Sequence, residues 1–234
     1  IVMPTTVYDY SIDGAGSHDF SLVGVSNLTF FARSHGGLGH IGEGLEMNGG
    51  GGGAGVVTGA IDVAALILGG HPTLRVVIPE RGNALNVIIH ALDSEGVSAG
   101  ALYLTSGADG DNLGSNASGG SLSGDEFGWG TLQLAGGYGD PGNDDAESGY
   151  GGGGGGSASD IAEGNVASGP SGGEAVAGSA ARFDGQAGVA GENAPGGVGG
   201  DGGGIAYVEL NYDYTPPAPP VSDSKLGLSL GLGL

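Results

Sequence analysis

The chain has 234 residues, of which 57 are glycine, and it carries 26 acidic against 5 basic side chains for a formal net charge of −21. Nucleic acid and anionic membrane surfaces are disfavoured as partners, because both need clustered cations. The single lysine, Lys225, leaves no phosphate-cradling or Schiff-base lysine in the body of the chain, and the absence of cysteine excludes a disulfide framework, a zinc ribbon and a thiol catalyst.

Glycine-rich, highly charged chains are usually disordered. Here 38% of the residues are hydrophobic and only 13% charged, which argues for folding. Each glycine loses roughly 0.5–1 kcal/mol more backbone entropy on ordering than alanine does. A chain that folds with this many must gain something that glycine alone permits, such as close backbone packing or turns at positive φ. An oligomer is expected.

The opening residues lack a basic stretch followed by an apolar run, so no secretory leader is expected there. No 18-residue apolar run predicts a membrane-spanning helix. Residues 1–35 read as β: Val7, Tyr8 and Tyr10, then Phe20, Leu22 and Val23, then Leu28, Phe30 and Phe31 lie between turn residues such as Asp13-Gly14. A glycine tract follows at 36–55, with five consecutive glycines from Gly49 to Gly53. Short β-branched blocks then recur at Val56-Val57, Ile61–Leu68, Leu74–Ile78, Leu85–Ile89 and Ala101–Leu104. Their spacing suits an all-β sandwich or barrel. Ala64–Leu68 fits a helical turn equally well. Residues 1–104 are therefore assigned to a β-rich domain.

From 105 to 204 apolar side chains are too sparse for a conventional core. Glycine is not randomly placed there. Gly185, Gly188 and Gly191, and likewise Gly139 and Gly142, are three residues apart, the period of a polyproline-II helix. A sustained triplet is absent and proline is only 10 residues, so collagen is excluded. The expectation is an all-β protein with a polyglycine-II-like region and no substantial α-helix. The glycine-rich domain, 105–214, closes in an alternating strand over 205–214. A proline linker at 215–220 leads to an apolar strand, 221–234, with Leu226, Leu228, Leu230, Leu232 and Leu234 on one face. That strand is read as an assembly element that adds to another subunit, the alternative being that it folds back on the apolar 56–104 region.

The order of parts resembles the glycine-rich domain of phage tail-fibre and tail-tip proteins over about residues 28–212. The strand Leu28–Ala32 runs into the burst Ser34–Gly39, and the second burst Gly49–Gly55 runs into Val56-Val57. The aromatic-flanked stretch Phe127–Gly137 ends in paired glycines, and the cluster Gly199–Gly204 runs into Ile205–Leu210. The resemblance implies polyglycine-II helices whose connecting loops touch a host receptor.

The familiar chemical motifs are matched only by chance. Gly169-Pro170-Ser171-Gly172-Gly173 fits a nucleophile elbow but lacks the flanking strand and helix. Gly49–Gly55 does not follow a strand, as a dinucleotide loop would. Asp109-Gly110-Asp111 begins like a calcium loop, but its twelfth position is Gly120. His18, His35, His40, His71 and His90 are scattered, with no metal-binding spacing. No catalytic residue, cofactor or metal site is assigned. Phe127, Trp129, Tyr138 and Tyr150, set among glycine and serine, have the chemistry of paratopes and sugar-binding surfaces, and equally that of plugs for a small core.

The expected function is a non-enzymatic, tail-fibre-like adhesin on a virion or extracellular surface. Its partners would be a bacterial surface protein or glycan, and other copies of itself or another virion protein. The alternative is a purely structural subunit of a virion decoration or filament, assembling through 221–234.

Overall fold

In the computed structural model, the described residues are 4–41, 47–82, 85–113, 115–145, 148–194 and 196–217. The apolar strand 221–234, with its five leucines, lies outside them. Among the described residues ten strands make two antiparallel sheets of five. The first sheet has the order β1 (Thr5–Asp9), β10 (Tyr207–Tyr214), β3 (Val25–Arg33), β4 (Val56–Ile61) and β9 (Gly130–Leu134). The second has the order β2 (Gly16–Ser21), β5 (Thr73–Ile78), β6 (Asn86–Leu92), β7 (Ser98–Thr105) and β8 (Leu122–Asp125). The fold is all-β, as the sequence predicts.

Alternation decides which face each strand buries. In β5, Leu74, Val76 and Ile78 point inward, and in β6, Val87, Ile89 and Ala91 do the same. They meet Leu28, Phe30, Ala32, Val57, Val208 and Leu210 of the first sheet in one core. Strands from both sides of residue 104 share each sheet, since β8 pairs with β7 and β9 with β4. The strand expected at 205–214 is β10, inserted between β1 and β3.

Two short helices accompany the strands, α1 (Tyr10–Asp13) and α2 (Val63–Leu68). The second resolves the ambiguity over Ala64–Leu68. The Asp62 carboxylate accepts from the Ala65 N–H at 3.0 Å as an N-cap. The helix stops at Gly69-Gly70, where Gly70 has φ of 85°.

The centre of the glycine-rich half is held mainly by backbone hydrogen bonds. The run Gly49–Ala54 donates its amides in three directions that repeat every third residue. Gly49 and Gly52 donate to Asp111 and Ala108, Gly50 and Gly53 to Asp140 and Gly137, and Gly51 and Ala54 to Gly200 and Gly203. Its carbonyls accept from three further segments, through His40 and Gly37, Gly155 and Ala158, and Gly120. The run thus has six backbone neighbours and is buried throughout. Gly151–Ala158 repeats the pattern, with Gly151, Gly154 and Ser157 donating to Glu192, Val189 and Gln186. There is no room for side chains between these segments. A Cβ built on Gly52 would overlap the Ser118 carbonyl, and one on Gly154 the Asp201 carbonyl.

The triplet glycines have the same explanation. Gly185, Gly188 and Gly191 face the carbonyls of Ser157, Gly154 and Gly151 in turn, all on one neighbouring segment. Segments at the centre of the array need glycine almost everywhere, and those at its perimeter need it only on the side that faces inward. In 105–204 the regular helix among the described residues is a single 3-10 turn, Ala181–Phe183.

Gly52→Ala is therefore expected to lower unfolding free energy by about 3 kcal/mol or more, at the severe end of overpacking. Gly16→Ala, where a Cβ meets only His18 at 3.6 Å, should change it by less than about 1 kcal/mol. Denaturant titration of the two variants checks the contrast.

Candidate binding surface

The register of the glycine segments gives the molecule two poles. Segments 36–40, 49–55, 136–140, 151–158 and 199–204 all run between the sandwich and a far end. Segments 36–40, 49–55, 136–140 and 199–204 adjoin β3, β4, β9 and β10 at their sandwich ends, and 151–158 reaches the same level where Ala158 N–H donates to the Ala54 carbonyl. At the far end His40, Gly49, Asp111, Asp140, Gly151, Glu192 and Gly199 come together through backbone hydrogen bonds. The connections 41–48, 111–116, 141–150 and 192–198, and the turn at 169–170, leave from this far end. Their described residues form the candidate surface.

Carboxylates organise these loops from within. Asp140 accepts from Gly142 N–H at 2.9 Å through one oxygen and from Gly169 N–H at 2.8 Å through the other, tying two loops together. Asp111 accepts from the Leu113 N–H and from the Ser115 hydroxyl, both at 3.0 Å. Asp145 accepts from the Ser148 hydroxyl at 3.0 Å. These side chains act as local turn-makers. Between them Ile41 and Leu113 stand almost fully in solvent. Among the described residues no cluster of carboxylates and histidines is arranged to hold a metal ion.

The four aromatics singled out from sequence divide into two pairs. Tyr138 is 49% exposed, and its carbonyl accepts from Ala167 N–H at 2.9 Å. Tyr150 is half-buried, bridges Asn143 and lies with its ring against Gly169, which has φ of 59°. Both tyrosines therefore flank the 167–169 segment at the loop-bearing half. Phe127 and Trp129 do not. They precede β9 at the end of the sandwich remote from the glycine array, because β9 runs from Gly130 opposite Gly59 to Leu134 opposite Val56. Trp129 is only 5% exposed and belongs to the main core, and Phe127 stacks on it with ring centroids 4.6 Å apart. Trp129 is thus a core residue and a correction to the expected contact set. The exposed apolar residues Ile41 and Leu113 carried no signal of their own in the sequence.

The glycine-rich half is bolted to the sandwich, at the end away from the loops, by a few polar side chains. Arg33 donates to the carbonyls of Ile205 at 3.1 Å and Asp184 at 3.0 Å. Arg81 donates to Gly202 at 3.1 Å and pairs with Asp201 at 3.2 Å. His35 is fully buried, with Nε2 on the Pro79 carbonyl at 3.1 Å, and Nδ1 accepts from Ala206 N–H at 3.2 Å. That pairing requires the neutral Nε2–H tautomer. Burial pushes the His35 imidazole below its ordinary value, more than the contact with Pro79 raises it. At Glu209, burial pushes the carboxyl up, but hydrogen bonds from Asn211, Tyr207 and Arg182 outweigh it and hold it below the usual range.

A comparison with protein-family models finds no match to this chain, and neither does one with curated proteins.

Both shifts make acid destabilising. The share from His35 is complete above the ordinary imidazole value of about 6.5 and declines as pH falls below it toward the lowered folded value. The share from Glu209 is complete above about 4.3 and is lost as pH falls through its own lowered value. The melting temperature is expected to fall between pH 7 and pH 5, and His35→Gln should shrink that fall. An equal fall in the variant would remove His35 from the account.

Proposed function

We propose that the protein is a non-enzymatic, tail-fibre-like attachment protein of a virion or extracellular surface, with its distal loops contacting a host-surface protein or glycan. The observation that carries this reading is the convergence of five chain connections on one pole of an array whose central segments leave no room for a Cβ between them. Rigid display of self-braced loops is the requirement of a recognition surface. The three-residue repeat of the amide directions supports the polyglycine-II character that the resemblance to tail-fibre domains implies.

Tyr138 and Tyr150 are the contact residues retained from the sequence, joined by Ile41 and Leu113. Each offers apolar area among polar, hydrogen-bonding neighbours. All four described arginines are engaged in hydrogen bonds or ion pairs within the chain, which favours a neutral or cationic receptor over a phosphate-rich one.

A purely structural subunit is the second reading, favoured by the apolar strand 221–234 with its five leucines. In either case that strand docks on another copy and builds the assembly.

The double variant Tyr138→Ala/Tyr150→Ala should lose at least tenfold in affinity for host cells or surface glycan, with a nearly unchanged melting temperature. Trp129→Ala should instead cost about 3–5 kcal/mol of stability, as large aromatic deletions from a core do. Undiminished binding by the folded double variant would remove the tyrosines from the receptor surface.

A further inference from the structure

The pole opposite the loops carries an open apolar groove of about 1020 Å³ between the start of β3 and α2. Its floor is Leu22, Val25 and Leu28, and its walls include Val23, Ile67 and Leu68, all three exposed, with Leu68 at 90%. Its backbone edge is partly open as well, although the Val25 N–H is taken by the Leu22 carbonyl at 3.1 Å. Pairing of β4 with β3 begins at Leu28 opposite Ile61, because β4 turns off into α2 through Asp62. Val25 and Ser26 therefore pair with β10 on one side, and no described strand lies on the other. An apolar wall beside a partly open strand edge is suited to an extended segment with one apolar face.

We propose that this groove receives the leucine strand Leu226–Leu234 of a second copy, and that two copies exchange these strands reciprocally. This rests on the assembly reading of 221–234. Successive leucines in a strand lie about 6.6 Å apart on one face, and the stretch Val25–Asn27 that β4 leaves uncovered extends about 6.6 Å, room for two of them. The glycines on the opposite face let the added backbone come close. The chain also leaves its own domain here. Thr215 N–H donates to the Gly24 carbonyl at 2.8 Å, and Gly24 lines the groove. Donor and acceptor thus share one pole, so two copies meeting there close a twofold dimer, where donor and acceptor at opposite poles would propagate a filament. The proline-rich composition of 215–220 predicts a stiff lead of about 15 Å, which in the proposed exchange separates the leucines from their own groove.

The chain has no cysteine, so the pair Leu68→Cys with Leu230→Cys reports on the contact directly. Mild oxidation of the full chain should give a reducible species of twice the 22.4 kDa chain mass. An intrachain link, or none, overturns the exchange. By light scattering, Ile67→Asp/Leu68→Asp should be monomeric with an unchanged melting temperature. A dimer in that variant overturns the groove. If truncation after Pro217 abolishes the dimer while the groove variant keeps it, only the acceptor is wrong. If the truncated chain still dimerises, the assembly reading fails with it.

Discussion

The loop-bearing half depends on a single steric condition: adjacent backbones approach until no Cβ fits between them. Side chains normally hold segments apart and fill the space with apolar contact. Here the filling is the neighbouring peptide itself, and the cohesion comes from amides paired with carbonyls on six sides. Each such bond is worth only about 1 kcal/mol net, but an unpaired group in so dry an interior would cost more than that. The array is consequently intolerant of single substitutions and resistant to bending.

The same condition explains how much of this half was legible in sequence. Gly185, Gly188 and Gly191 advertise one contact face at a period of three, and the structure places all three on Gly151–Ser157. The unbroken runs Gly49–Gly53 and Gly151–Gly156 advertise contact on every side, and they are the two central segments. Glycine density therefore maps depth in the array, much as hydrophobicity maps depth in an ordinary core. Which segment neighbours which could not be read, because a glycine carries no side chain to specify its partner.

In the sandwich the alternating strands were legible and their pairing was not. β10 lies between β1 and β3 although almost two hundred residues separate it from β1 in the chain, a contact no local pattern encodes. Trp129 was misplaced for the same reason. In sequence it sits between glycines and resembles a displayed aromatic. Only the pairing of β9 with β4, which puts the Trp129 carbonyl on the Ala60 N–H at 3.2 Å, turns it into the core. The apolar groove was equally hidden, since its two walls are more than thirty residues apart.

The seam between the halves shows why two of the four arginines, Arg33 and Arg81, lie where they do. A strand presents its backbone groups with a period of two, and the glycine segments present theirs with a period of three. Where one becomes the other, carbonyls and amides fall out of register and lack a backbone partner. Arg33, Ser34 and His35 occupy that junction after β3. The Arg33 guanidinium takes the carbonyls of Ile205 and Asp184, the Ser34 hydroxyl accepts from Gly55 N–H at 3.1 Å, and His35 serves Pro79 and Ala206. From the bend after β5, Arg81 reaches the carbonyls of Gly36 and Gly202. A guanidinium suits this task because it offers five donors in a fixed plane and always stays charged. The mismatch in period, more than any need to balance the net charge of −21, accounts for the placement of these cations.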